Sequence, residues 1–443
     1  MKTSIHTRHF VAIFLVLWIF VPILTSFAAE VDWKAEAAKR IEKHRKTDIA
    51  IVIAQPDGKP IPGAKVELKM VRHKFLFGCN IFKWGRCSTE AQNSEYSRKY
   101  AELFNFATLG FYWWDFESVK DRPKYAYAEQ VAAWCHEHEI QTKGHPLAWN
   151  FFDPAWVKNL DDAELYRRQM DRIEACTERF NGKIDKWDVI NEVVQWNRDD
   201  CFKQSPRLTK LMQDRDPIEY AKLCFIRARA GNPDATLLIN DYIHNQEYVD
   251  LVAKLVDANG KPLYDTIGIQ SHMHSGTWSN NEIWDTCELF AKFGRPLHFT
   301  ELTVLSTSQK FNWGDSNFVT TEEGEANQRD EVVRIYTMLF SHPAVEAITW
   351  WDFSDQGAWM EVPSGFLRKD MSSKPAYDAL LQLVKKDWAT NETLTTDAKG
   401  EINLRAFQGD YTLKITYPDG STSTEGDIRM SVGKEKLRFE YKK

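Results

Sequence analysis

The sequence offers no convincing membrane span. Its apolar stretch, Phe10 to Leu24, follows a basic start at Met1, Lys2 and Arg8 and is too short and too early to cross a bilayer. With the small-residue pattern Ser26-Phe27-Ala28 it reads instead as a secretory signal over residues 1–28, cleaved near Ala28. No cysteine lies directly after that stretch, which argues against a lipid anchor at the mature start. The expected product is exported, extracellular or periplasmic, with no membrane association after cleavage. Cysteine is present without pattern: the seven residues at 79, 87, 135, 176, 201, 224 and 287 show no CxxC spacing. Their odd number excludes complete pairing within one chain and leaves the partners open. A charge excess is also missing. A net charge of −6 and a pI near 6.1 give no reason to expect nucleic acid or an anionic surface as partner. A metal-ligand set is lacking too. His272 and His274 would share one face of a strand, but no third ligand is evident, so no metal is expected. His136-Glu137-His138 falls on a helical pattern and reads as a solvated face.

Tryptophan, by contrast, is abundant. The chain has 17, all but Trp18 and Trp33 lying between Trp84 and Trp388. Buried indoles account for some of them, but indole faces also stack on the C–H faces of sugars, and a sugar-binding cleft would explain the excess.

After residue 28 the chain is long enough for a large barrel plus a module. Residues 32–46 form a charged helix. The period then changes to two: residues 49–54, a turn at Pro56-Asp57-Gly58 and residues 63–70 read as a β-hairpin. Residues 401–407, 411–417, 427–432 and 436–441 have the same alternation. Neither end has enough strands for two packed sheets, so 29–72 and 390–443 are expected to combine into one small β-sandwich. Between them, residues 73–389 alternate strand and helix. Candidate strands at 75–81, 104–111, 140–149, 184–192, 236–242, 266–272, 296–302 and 347–353, with helices in the gaps, point to an α/β fold, a TIM (β/α)8 barrel.

Two of these strands close on acids. Leu297-His298-Phe299-Thr300-Glu301-Leu302 is an apolar run with a carboxylate at its tip, and Trp187-Asp188-Val189-Ile190-Asn191-Glu192 is another. A buried strand does not carry a carboxylate at its end unless that group has a task. Barrel enzymes keep their reacting groups at the carboxyl ends of strands, which is where Glu192 and Glu301 fall. Glycoside hydrolysis needs one protonated and one ionised carboxyl. The other strand ends carry His145 with Trp149 and Asn150, then Asn240-Asp241-Tyr242, Gln270-Ser271-His272, and Trp350-Trp351-Asp352 with Asp355 and Trp359. Amides, imidazoles and indoles on one rim suit the binding of sugar hydroxyls and rings.

On these residues the barrel resembles glycoside hydrolase family 10, the retaining endo-β-1,4-xylanases. The 187–192 segment is similar to the family's acid/base motif, which would make Glu192 the acid/base and Asn191 a contact to the sugar 2-hydroxyl. Thr300-Glu301-Leu302 looks like the nucleophile motif, with His272 supporting Glu301. Gly144-His145-Pro146-Leu147-Ala148-Trp149 resembles the third-strand segment. Asn240-Asp241-Tyr242 and Gln270-Ser271-His272 resemble the fifth and sixth. Trp351 and Trp359 match indoles that wall the catalytic subsite, and Lys374-Pro375-Ala376-Tyr377 matches the start of the last helix. The flanking segments are similar to those of plant-type members with extra β modules. The resemblance implies double displacement on a polysaccharide or oligosaccharide and requires no cofactor.

Several positions depart from that pattern. Aligned on Thr108, an acidic-Asn pair and a Lys that hold xylose are replaced by Gly110, Phe111 and Trp113, which puts Phe111 and Trp113 against the substrate. After Trp149, a His and a Gln are replaced by Asn150 and Phe152. Replacing polar grips should change which sugar is accepted. The Asp two residues beyond the nucleophile is Thr303. The expectation is therefore an endo-β-1,4-xylanase-like hydrolase. Its rivals are the same mechanism on a decorated or non-xylan β-glycoside, and a non-catalytic carbohydrate-binding barrel.

Overall fold

In a computed structural model, which describes residues 32–431 and 435–441, eight parallel strands close into a barrel. They are β1 (Leu76–Asn80), β2 (Phe106–Gly110), β3 (Gln141–His145), β4 (Lys186–Asn191), β5 (Thr236–Asp241), β6 (Thr266–Ile269), β7 (Leu297–Val304) and β8 (Val345–Trp350). Each pairs with its neighbours in chain order, and β8 closes the ring by pairing with both β7 and β1. β7 is buried along its whole length, as expected of a strand covered by helices outside and packed side chains inside. Seven of the strands are shorter than the apolar runs in the sequence, whose ends extend into the flanking loops; β7 instead runs on to Val304, where Thr303 and Val304 pair with His272 and Met273.

Helices pack outside the ring. Asp162–Arg179 starts on an Asp161 cap and packs beside Pro217–Gly231, and Glu322–Ser341 starts on a Thr321 cap. Side-chain caps of this kind satisfy the orphan N–H groups of the first turn. All seven cysteines are free. Among the described residues no helix is long and apolar enough to cross a membrane. The expected leader, residues 1–28, lies outside the described residues.

The two ends of the chain do meet in one β module. One sheet places Lys46–Ala54 between Glu401–Phe407, antiparallel, and Glu435–Glu440, parallel. The other places Lys65–His73 between Asn391–Thr395 and Gly409–Thr416, with Thr422–Met430 at its edge. Ile49, Ile51 and Ile53 pack with Val66, Leu68, Leu413 and Ile415 between the sheets. The helix Trp33–Arg45, capped by Asp32, ties the module to the barrel: the Arg45 guanidinium donates to the carbonyls of Phe340, His342 and Val345.

Candidate active site

Glu192 directly follows the last residue of β4, and Glu301 lies in the second half of β7. Each is fixed by a cross-strand backbone bond: the Glu192 N–H donates to the Asn240 carbonyl at 2.9 Å, and the Glu301 N–H to the Gln270 carbonyl at 3.0 Å. Glu192 has a φ of 58°, in the left-handed region, which is costly for a residue with a Cβ and clusters at working sites. Two amides join the acids. Asn240 donates through Nδ2 to Glu301 Oε1 at 2.8 Å and to Asn191 Oδ1 at 2.7 Å, and Asn191 donates to Glu192 Oε1 at 3.1 Å. Gln270 donates to the same Oε1 of Glu192, also at 3.1 Å.

The two carboxyls are treated differently. Burial raises Glu192 above the ordinary glutamate range, with the charge of Glu301 adding to it and Arg198 and Gln270 opposing. Burial would lift Glu301 as well, but the imidazoles of His145 and His272 and the amide of Asn240 outweigh it and hold that group below its usual value. His272 Nε2 is 3.1 Å from Glu301 Oε2, and its Nδ1 is 3.0 Å from the Thr303 hydroxyl. His145 Nε2 is 3.9 Å from Glu301 Oε1. Its Nδ1 is 2.8 Å from Asp188, which is itself 2.6 Å from Lys143 Nζ. A buried Lys–Asp–His line therefore ends on the acid that is kept ionised.

A cleft of about 620 Å³ opens over Glu192 and is lined by Trp149, Gln270, His272, Trp313 and Trp359, among others. Trp359 is 40% exposed and packs beside His272, while Trp351 is nearly buried and sets its ring edge-on to His145 and His272. Trp149 stacks on Phe151 at 4.4 Å. His274, beside His272, is pushed down to about 3 by burial. No group of three or more metal-ligating side chains occurs among the described residues.

Three expected contacts fall elsewhere. Phe111 is wholly buried, packed on Phe116, Phe180 and Trp187 in the barrel wall. Trp113 is buried against Trp156, its indole N–H bonded to Glu117. The reason is local. After β2 the chain makes a helical turn, Trp113–Phe116, whose inward positions are Trp113 and Phe116, so Tyr112 and Trp114 are the partly exposed ones. Tyr112 packs on His145 and Trp149, and Trp114 on Trp149 and Phe152. Asn150 is also buried, its amide spent on the Trp196 carbonyl and the Thr209 hydroxyl. It ties its loop to the turn at Trp196 and to the helix Pro206–Gln213 instead of facing the cleft. Sequence reasoning missed Arg198, whose Nη2 lies 2.8 Å from Glu192 Oε2. It sits in an irregular loop, and nothing in its spacing marks it.

An eight-stranded barrel whose paired carboxyls are shifted in opposite directions, one raised by burial and one lowered by neighbouring imidazoles, is the arrangement of sugar-hydrolysing barrels. The model for glycosyl hydrolase family 10 matches residues 69–383, and the chain belongs to that family. The chain is 24% identical over 417 residues to the anti-sigma-I factor RsgI6 of Acetivibrio thermocellus, covering 93% of this chain and 50% of that protein. It is 24% identical over 396 residues to endo-1,4-beta-xylanase 1 of Arabidopsis thaliana, covering 85% and 37% respectively. It thus spans half or less of the length of these relatives. Xylanase 10B from Thermotoga petrophila, solved in complex with xylobiose, superposes with a TM-score of 0.58 at 22% identity, over 71% of this chain and 95% of that one.

Proposed function

We propose that the protein is a retaining glycoside hydrolase that cleaves β-glycosidic bonds in a plant- or algal-type polysaccharide, xylan-like in backbone. The observation that carries this reading is the placing of the two acids: Glu301 has an imidazole at each carboxylate oxygen, His272 and His145, and is joined to Glu192 through the Asn240 and Asn191 amides. Ionised Glu301 attacks the anomeric carbon while Glu192 gives its proton to the departing oxygen. Glu192 as carboxylate then takes a proton from water, which releases the sugar from Glu301. Asn191 and Asn240 hold the acids in register, and Trp149 and Trp359 supply ring faces to the cleft. The reading also includes export, which rests on residues 1–28 of the sequence. The test is the anomeric configuration of the first product by proton NMR. Retention is expected, and inversion would exclude the mechanism.

A second reading concerns the sugar. Tyr112, Trp114, Phe151 and Phe152 form an aromatic wall where polar grips were expected. That wall favours a decorated or less polar β-glycoside over bare xylan. Aryl xylobioside, glucoside, galactoside and glucuronide assayed side by side, with bare and substituted xylans, separate the two by relative kcat/KM.

A further inference from the structure

Double displacement as described leaves the bond between Arg198 and Glu192 without a role. Oε2 of Glu192 lies 2.8 Å from Arg198 Nη2, and Oε1 accepts from the Asn191 and Gln270 amides, both at 3.1 Å. All three partners are donors. The neighbouring amide oxygen, Asn191 Oδ1, is already taken by Asn240 and Gln270. A protonated carboxyl carries an O–H that needs an acceptor, so this surrounding suits the carboxylate and offers the acid form nothing. Arg198 is itself held from behind, its Nε 3.2 Å from Asp200 and its Nη1 3.4 Å from the Tyr242 hydroxyl. It is also only partly exposed, in the same cleft as Trp149 and Trp359.

We propose that Arg198 is a positioning residue for the acid/base: its ion pair aims Glu192 and keeps it ionised before a sugar binds, so that Glu192 takes its proton from solvent as a sugar on the leaving side displaces the guanidinium. This rests on the hydrolase reading. Glu301, Asp241, Tyr112, Tyr242 and Cys201 also face Glu192, and burial together with the charge of Glu301 favours its protonated form. Arg198 supplies the opposing positive charge. Once the guanidinium is pushed aside, burial takes over and the same side chain becomes an acid. When the glycosidic bond has broken, the pair re-forms on the carboxylate and favours its role as base toward water.

The test is an infrared difference titration of the mature protein, each form measured against its own Glu192→Gln partner, so that the carboxyl of Glu192 is read without turnover. Arg198→Met should raise the midpoint for protonation of Glu192 by about one to two pH units. Arg198→Lys, which keeps the charge, should stay within about half a unit of wild type. The upper limb of kcat/KM against pH should move with the midpoint. An unmoved or lowered midpoint in Arg198→Met overturns the proposal, as does an equal shift in Arg198→Lys. Arg198→Gln serves if Arg198→Met fails to fold. Failure of the hydrolase reading shows separately, as wild-type protein that turns over no glycan or is indifferent to Glu301→Ala.

Discussion

His272 Nε2 stands 3.1 Å from Oε2 of Glu301, and the other ring nitrogen meets a threonine hydroxyl at 3.0 Å. The partner behind the histidine is therefore neutral. Thr303 also lies 3.3 Å from the Glu301 carbonyl, as donor, so its hydroxyl links imidazole and backbone at one point. Thr303→Val keeps the shape and deletes that link. A hydrogen bond of this kind contributes about 1 kcal/mol, so kcat should fall roughly fivefold with KM little changed. A change confined to KM would show that the contact serves binding instead.

The two acids should respond differently to removal. Glu301→Ala should abolish turnover of every substrate, because no covalent intermediate can form. Glu192→Ala should cost about 10²- to 10⁴-fold on natural glycosides, and far less on nitrophenyl glycosides, whose leaving group needs no proton. Added azide should then yield a glycosyl azide of retained configuration. Equal losses on both substrate types would remove Glu192 from the acid role.

Phe111 and its neighbour Tyr112 point opposite ways, and mutation can tell them apart. Phe111→Ala opens a void among Phe116, Phe180 and Trp187 and should lower stability by about 3–5 kcal/mol in denaturant titration. Tyr112→Ala and Trp114→Ala should leave stability within about 1–2 kcal/mol and raise KM several-fold. If Phe111→Ala instead altered KM at unchanged stability, the wall would have to be redrawn.

Asp241 gives a pH test of the folded state. It accepts the Val194 and Ile243 N–H groups, and burial lifts its carboxyl from 3.8 to about 7. Between about pH 4 and 7 the native protein keeps a proton there that the unfolded chain has lost, so this group's contribution to stability falls as pH rises through that window. Asp241→Asn cannot ionise. Its lost acceptor is a constant penalty, so unfolding free energies of variant and wild type should converge, or cross, from pH 4 to pH 7. Parallel curves would place the ionisation elsewhere.

Much of this was readable from residue order. Glu192 and Glu301 stood out because an apolar strand closing on a carboxylate is costly without a purpose, and the pairing of the two termini followed from each having too few strands alone. The facing of residues 111–114 was not readable. A strand gives way there to a helical turn, and where period two becomes 3.6 a one-residue error exchanges wall for cleft. Asn150 was misplaced for a different reason: an amide beside a site looks the same in sequence whether it meets a sugar or the Trp196 carbonyl. Arg198 carried no signal, because its significance lies wholly in a partner six positions back across an irregular loop.

The strand Lys46–Ala54 is laced between two strands that follow the barrel in the chain. On a ribosome it emerges early and must stay unpaired at both edges, with Val66 and Leu68 as early cover for Ile49, Ile51 and Ile53 but Leu413 and Ile415 still to come, until more than three hundred later residues have been made. The module thus cannot close until the residues that follow the barrel have been made. Cutting the chain after the barrel would strand the opening segment with exposed edges and invite aggregation.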